Sequence, residues 1–296
     1  MGEMMRFSMK PRASCAVLMT MALPQLAFAA DLGASVEPSP AYAASYTPPP
    51  FDGYYLRLDV AAARSETLGF SQADLTVNGG TFVSESLGTQ PVLTVGIGRQ
   101  ITSRIRADLT GEYRVPSSLG GYDNLSATLI SNGEIFQANT TYRGEYSSLV
   151  GLANIYFDLG HWRGFTPYVG AGIGAARNEI SDFTTATVGS LTDPKTGAKV
   201  TEMSSATSQD HSQWNLAWAL MAGVSFDLTD ALKLDVGYRY IDLGSGESAS
   251  SDRLICNCGT LGQPLQLHDL TANEIRIGMR FQFGGPDQAD RPPPLK

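Results

Sequence analysis

Cysteine is nearly missing from this 296-residue chain, which has three copies in all. Cys15 lies in the N-terminal apolar segment, so only Cys256 and Cys258 are left to the body of the chain. A bridge between residues two apart is strained, which excludes a disulfide framework as the source of the fold. The Cys-Asn-Cys spacing is also closer than that of usual paired zinc ligands, and with His268 added a fourth ligand is still wanting. Positive charge is scarce: 21 Lys and Arg against 29 Asp and Glu give a formal net charge of -8, which speaks against a nucleic-acid partner. After Leu23 no apolar run approaches the roughly 20 residues of a spanning helix. No Gly-rich phosphate loop follows a strand pattern, so no cofactor is expected.

What is there begins with an export signal. Arg6, Lys10 and Arg12 precede the apolar run 13–23, and Ala27-Phe28-Ala29 supplies the small residues of a cleavage site. Residues 1–29 are therefore expected to be a secretory signal peptide. Its removal takes away three basic and one acidic side chain, moving the charge from -8 to about -10. Residues 30–52 (with Pro38, Pro40, Pro48, Pro49 and Pro50) read as an extended Pro-rich periplasmic linker, and 284–296 as a Pro-rich tail.

Between them, 53–283, apolar and polar residues alternate with a period of two. In Arg104 to Val115, Ile105, Ala107, Leu109, Gly111, Tyr113 and Val115 face one way. Arg104, Arg106, Asp108, Thr110, Glu112 and Arg114 face the other. Asn273 to Phe283 repeats the pattern. Strands are expected near 53–63, 90–99, 104–115, 143–157, 165–177, 213–227, 232–243 and 272–283, joined alternately by long and short segments. The prediction is an all-β fold: an eight-stranded antiparallel up-and-down transmembrane β-barrel with short periplasmic turns and long extracellular loops near 64–89, 116–142, 178–212 and 244–271. Pairing within the third loop would raise the count to ten.

Eight strands enclose only enough space for side chains, whereas open porins need about 16. The expected lumen carries Arg57, Arg104, Arg106, Arg114, Lys233, Arg239, Arg276 and Arg280 against Asp59, Asp108, Glu112, Asp235 and Glu274. Unpaired charges there would cost several kcal/mol, so ion pairs should fill the barrel. Gly96, Gly98, Gly170, Gly172 and Gly174 are expected to make room for the arginines. Aromatic residues divide between the two expected membrane interfaces. Tyr54, Phe157, Phe165, Phe226, Phe281 and Phe283 fall at the periplasmic ends, and Tyr113, Trp214, Tyr238 and Tyr240 at the outer ends, with Trp218 nearer mid-strand.

Phe165 to Ala176 (FTPYVGAGIGAA), Ala217 to Gly244 (AWALMAGVSFDLTDALKLDVGYRYIDLG) and the closing EIRIGMRFQF resemble the outer-membrane β-barrel family that includes the OmpA transmembrane domain, Ail-type adhesins and opacity proteins. The resemblance implies a bacterial outer-membrane location and contact with outer-membrane lipid and lipopolysaccharide. It also implies handling by the barrel-assembly machinery, with Phe283 as the closing aromatic, and a structural, adhesin or opacity-like role through the loops. A small-solute porin and an outer-leaflet lipid-modifying enzyme are the alternatives. For the enzyme, His161, His211 and His268 are the only imidazoles, and they read as exposed loop or turn residues. Asp210 and Ser212 flank His211, but neighbours on a strand alternate faces and build no catalytic chain. No catalytic, cofactor or metal residue is expected, and recognition falls to the loops.

Overall fold

The computed structural model describes residues 53–66, 69–72, 80–128, 133–250 and 264–283. The expected signal peptide, linker and tail, with Cys256 and Cys258, lie outside them.

Numbered in chain order, eight strands make the wall: β1 (Tyr54–Glu66), β4 (Thr89–Gln100), β5 (Ile105–Thr128), β6 (Ile135–Asp158), β7 (Phe165–Thr192), β9 (His211–Asp227), β10 (Leu232–Asp242) and β13 (Thr271–Phe283). Each pairs antiparallel with the next, and β13 returns to β1 from Tyr54 opposite Phe283 to Glu66 opposite Thr271. The ring therefore has no edge, which is what a sheet needs where no water can satisfy its backbone. Leu56, Leu58, Val60, Leu93, Val95, Ile97, Ile275, Ile277 and Met279 point outward and stay exposed, while their neighbours in sequence are buried inside. That inversion of the soluble pattern follows from lipid outside and packed polar groups within.

The outer portions differ from the expected loops. Strands β5, β6 and β7 run for 24, 24 and 28 residues, well past the stretches read from alternation. Two bulges hid this continuation. Val115 and Pro116 together oppose Ser147, since Arg114 pairs with Ser148 and Ser117 with Tyr146. Pro116 has no N–H to give to a ladder, so it is tolerated where pairing is already broken. Beyond it the inward positions change parity, to Ser117, Leu119 and Asp123. On β7, Asp182 and Phe183 oppose Gly144, and Asp182 takes the left-handed φ of 49° that Asp tolerates. Strand β8 (Lys199–Thr207) then folds back on β7. It stays outside the ring, so the barrel remains eight-stranded.

Strand β3 (Thr81–Leu87) pairs with the outer part of β5. Strands β2 (Gly69–Ser71), β11 (Gly246–Glu247) and β12 (Gln266–His268) form a small separate sheet in the outer connections. Their apolar residues enter the barrel's outer half, where Phe70, Leu243, Leu265, Leu267 and Leu270 are buried with Leu119, Tyr142, Tyr146, Ile180 and Phe183. This apolar layer corrects the expectation that ion pairs fill the barrel throughout. Burial of those large side chains from several connections ties the outer segments down by about 1.5–3 kcal/mol each.

The interior glycines make room chiefly for tyrosines and the wall; among the five, Gly96 gives way to an arginine, a Cβ there standing 3.0 Å from Arg57 Cγ. A Cβ on Gly98 would stand 2.3 Å from the Tyr55 ring, one on Gly170 2.6 Å from Tyr156, and one on Gly174 1.9 Å from the Gly151 carbonyl oxygen. Gly111 points outward with nothing within 4 Å. Gly174→Ala is expected to destabilise the barrel by about 1–3 kcal/mol through overpacking against backbone. Gly111→Ala should change stability by less than about 0.5 kcal/mol. Urea titration of the folded, fast-migrating gel band measures both.

Candidate functional site

Positions that alternate inward on neighbouring strands put six arginines (Arg57, Arg106, Arg114, Arg239, Arg276, Arg280) against six carboxylates (Asp59, Asp108, Glu112, Asp158, Asp235, Glu274) in one lumen. They form three tiers. In the outermost, Arg239 forks onto Glu112, with Nη2 2.5 Å from Oε2, and its Nε donates to Glu274 at 2.7 Å. Arg114 donates to the other oxygen of Glu274. Since β10 stands four places round an eight-membered ring from β5, the Arg239–Glu112 pair spans the full width of the barrel.

In the middle tier Arg57 grips Asp59 through Nε and Nη2 at 2.9 and 3.0 Å. Its Nη1 reaches Asp108 at 2.9 Å and the Tyr156 hydroxyl oxygen at 2.7 Å. Arg276 joins this tier to the one above, 3.2 Å from Asp59 and 3.8 Å from Glu112. Asn154 and the Tyr55 hydroxyl complete the coordination of Asp108 at 2.7 and 3.1 Å. Nearest the periplasm, Arg280 lies 3.3 Å from Asp235, which also accepts from Ser225. Arg106 pairs with Asp158 at 3.1 Å, its guanidinium between the rings of Tyr156 and Tyr168 at 4.7 and 4.6 Å. Each charge thus has an opposite charge in a fixed, charge-assisted geometry, the only arrangement that offsets taking so many ions out of water.

Two of the expected lumen residues sit elsewhere. Arg104 is exposed in the turn between β4 and β5, because β5 begins one residue later, at Ile105. Lys233 lies at the periplasmic mouth, half-buried and paired with Asp227. Asp158, Tyr55, Tyr156 and Tyr168 also belong to the lattice, Asp158 as the last residue of β6, just past the expected strand 143–157. A cavity of about 10 Å³, room for roughly one water, lies among Arg57, Asp59, Tyr156, Tyr168, Asp235 and Arg276. The apolar layer of the outer half lies above these tiers.

On the outer wall, Tyr54, Phe157, Phe165, Phe226, Phe281 and Phe283 stand exposed at the ends nearest the short turns. Tyr54 stacks with Phe283 at 6.3 Å, and Phe281 with Phe283 at 6.5 Å. Tyr113, Tyr238 and Trp214 are exposed farther along, and Tyr240 is half-covered by Trp218, 5.5 Å away. The histidines do not meet in one site: His211 begins β9, His161 lies in a short turn 3.1 Å from Thr166, and His268 hydrogen-bonds Ser71 at 2.6 Å on the small outer sheet. Among the described residues no group of three His, Cys, Asp or Glu side chains is placed to hold a metal. At the outermost tip, the turn from β7 to β8 is held by Asp193, which accepts from the Lys195 N–H and the Thr196 hydroxyl at 2.8 Å each. Those two bonds hold its carboxyl below the usual carboxylate range.

Residues 13–283 match the model of the outer membrane protein beta-barrel domain family. A protein of Brucella abortus described only as uncharacterized is 32% identical over 204 residues, covering 64% of this chain and 67% of its own. A Rickettsia bellii protein provisionally named an adhesin is 26% identical over 234 residues, covering 78% of this chain and 89% of its own. Among solved structures, the outer membrane protein OprG of Pseudomonas aeruginosa superposes with a TM-score of 0.44 at 12% identity, covering 79% of this chain and 98% of that one. A closed eight-stranded ring with an apolar exterior and a match along nearly the whole chain make this a member of the outer membrane β-barrel family, resident in the bacterial outer membrane.

Proposed function

We propose that this barrel is a structural and surface-interaction protein of the bacterial envelope, adhesin-like or opacity-like, rather than a channel or an enzyme. The observation that carries the reading is the contrast between a filled lumen and an extended outer sheet. At about 3.3 Å per residue, the 28 residues of β7 reach some 90 Å, whereas a bilayer is crossed by about 9–11. The material beyond the membrane is held as sheet, as a display surface requires, and the provisional name of the Rickettsia relative is in keeping with this.

The chain's plan in this reading is a cleaved leader (1–29), a periplasmic linker (30–52), the barrel (53–283) and a tail (284–296). The two sets of outward aromatics would lie at the membrane interfaces and the apolar residues between them in hydrocarbon, with lipopolysaccharide around the outer rim. Insertion would use the barrel-assembly machinery. A pore is disfavoured by the ionic tiers and the apolar layer above them. Catalysis is disfavoured by histidines dispersed over separate elements.

Two measurements test the reading. Refolded protein in planar bilayers should give no stable single-channel steps, and regular steps would identify a pore. Bacteria displaying a chain in which 184–207 is replaced by a short Gly-Ser turn should lose most attachment to host-cell surfaces while keeping a folded barrel. Attachment equal to that of the intact chain would remove the outer sheet from recognition.

A further inference from the structure

We propose that the three short turns form a rim that binds anionic phospholipid of the periplasmic leaflet, with apolar side chains in the interface and arginines on the lipid phosphates. This rests on the reading of the outward aromatics as membrane-interface residues and extends it past the ends of the strands.

The three turns share a design. Each places an aliphatic residue directly after its first strand: Ile101 after β4, Leu159 after β6 and Leu228 after β9. Each of these gives its N–H across the turn, to the carbonyls of Ile105, Pro167 and Leu232 at 2.8, 2.9 and 3.0 Å. Their backbones are thereby fixed, while the residues stay exposed by 55, 48 and 50%. The second turn adds Trp162, half exposed and 6.1 Å from the Phe165 ring. A single exposed apolar residue is ordinary on any surface, but one in every turn with a tryptophan among them marks an apolar neighbour.

The same turns carry positive charge. Arg99, Arg104 and Arg163 are exposed. Of the carboxylates at this end, Asp227 is paired with Lys233 and Asp158 with Arg106, and Asp230 is the one carboxylate within the turns themselves. This basic excess runs against a chain whose formal charge is -8. At the opposite mouth the outward arginines are matched: Arg64, Arg143 and Arg177 are followed two residues on by Glu66, Glu145 and Glu179, and Arg177 lies 3.5 Å from Glu179.

The occupant of this rim follows from what it adjoins. The Arg99 guanidinium lies over the Tyr54 ring at 5.5 Å, and Tyr54 stacks on Phe283. Trp162 packs against Phe165, itself exposed on the wall. Cation and indole are thus attached to the aromatic girdle of a barrel resident in the outer membrane, and the lipid that bathes the girdle is the surface they meet. A tryptophan suits that depth, and an arginine lays its apolar stem there while its fork takes a phosphate. Every phospholipid offers a phosphate, but an excess of guanidinium charge selects those with net negative charge.

The test uses the full chain in nanodiscs. Trp214→Phe/Trp218→Phe leaves Trp162 as the only tryptophan. Phospholipid brominated near the headgroup end of its acyl chains quenches tryptophan on contact. In one mixed bilayer of phosphatidylglycerol and phosphatidylcholine, the bromine is carried by either lipid in turn. Trp162 emission is expected to fall with brominated phosphatidylglycerol, by roughly twofold or more beyond the fall with brominated phosphatidylcholine. Arg99→Gln/Arg104→Gln/Arg163→Gln should remove the preference while the fast-migrating gel band shows a folded barrel, and added salt should weaken it with the arginines intact. Equal quenching by the two lipids, or a preference indifferent to both substitution and salt, overturns the proposal. So does emission that neither lipid quenches, the result expected if another protein or another part of this chain covers the rim. A chain with Phe165→Trp and all three native tryptophans replaced by phenylalanine separates the two readings. Quenching there but not at Trp162 rejects the phospholipid rim and leaves the interface aromatics standing; no quenching at either position rejects both.

Discussion

The structure depends on mutual neutralisation of charge inside a narrow cylinder. Lipid outside requires an apolar exterior, and the period of two then sends every second side chain inward, where eight strands leave no room for bulk water. Six arginines in that space are tolerable only because six carboxylates meet them. Arg239, Arg114, Arg276 and Arg57 link β10, β5, β13 and β1 across the lumen, so the wall is braced by contacts the backbone ladder cannot provide. Above these tiers the interior turns apolar. There a buried core is built as in a soluble protein.

This division explains why the outer part is ordered sheet. Leucines from separate connections converge on Tyr142, Tyr146 and Phe183, and the long hairpins of β5 to β8 rise from that base. A channel would need both layers open. A display scaffold needs them closed and rigid. The long strands and the filled lumen are parts of one arrangement.

Much of this was legible in the residues. The alternation in 104–115 and 273–283 marked the wall, and the charges on its inner face marked the lattice, although eight basic positions stood against five acidic ones until the structure moved Arg104 and Lys233 out and Asp158 in. The eight strand positions follow from the same period. What was not legible has physical causes. The bulges at Val115–Pro116 and Asp182–Phe183 reverse the inward parity, so a single alternation breaks off where the strand merely changes phase. Leu265, Leu267 and Leu270 stand in a Gly- and Pro-containing stretch that reads as a surface loop, and only the tertiary fold turns them over the barrel mouth. Arg104 shares the parity of the lumen residues, yet it falls in the turn before β5 and stays exposed. The tyrosines that flank Arg106 carry no signal in a charge pattern, because a phenol inside a barrel is chosen for its ring face and hydroxyl together.

The measurement that tests the central claim most directly is a double-mutant cycle on the pair that spans the barrel. Glu112→Ala and Arg239→Ala each remove one half of a buried, hydrogen-bonded ion pair and should each cost about 3–5 kcal/mol in urea unfolding of the lipid-inserted protein. If the lattice braces the wall, the double variant should be less damaging than the sum of the two by about 2 kcal/mol or more. Costs that add to within about 0.5 kcal/mol would show that the two side chains act independently, and would contradict the account.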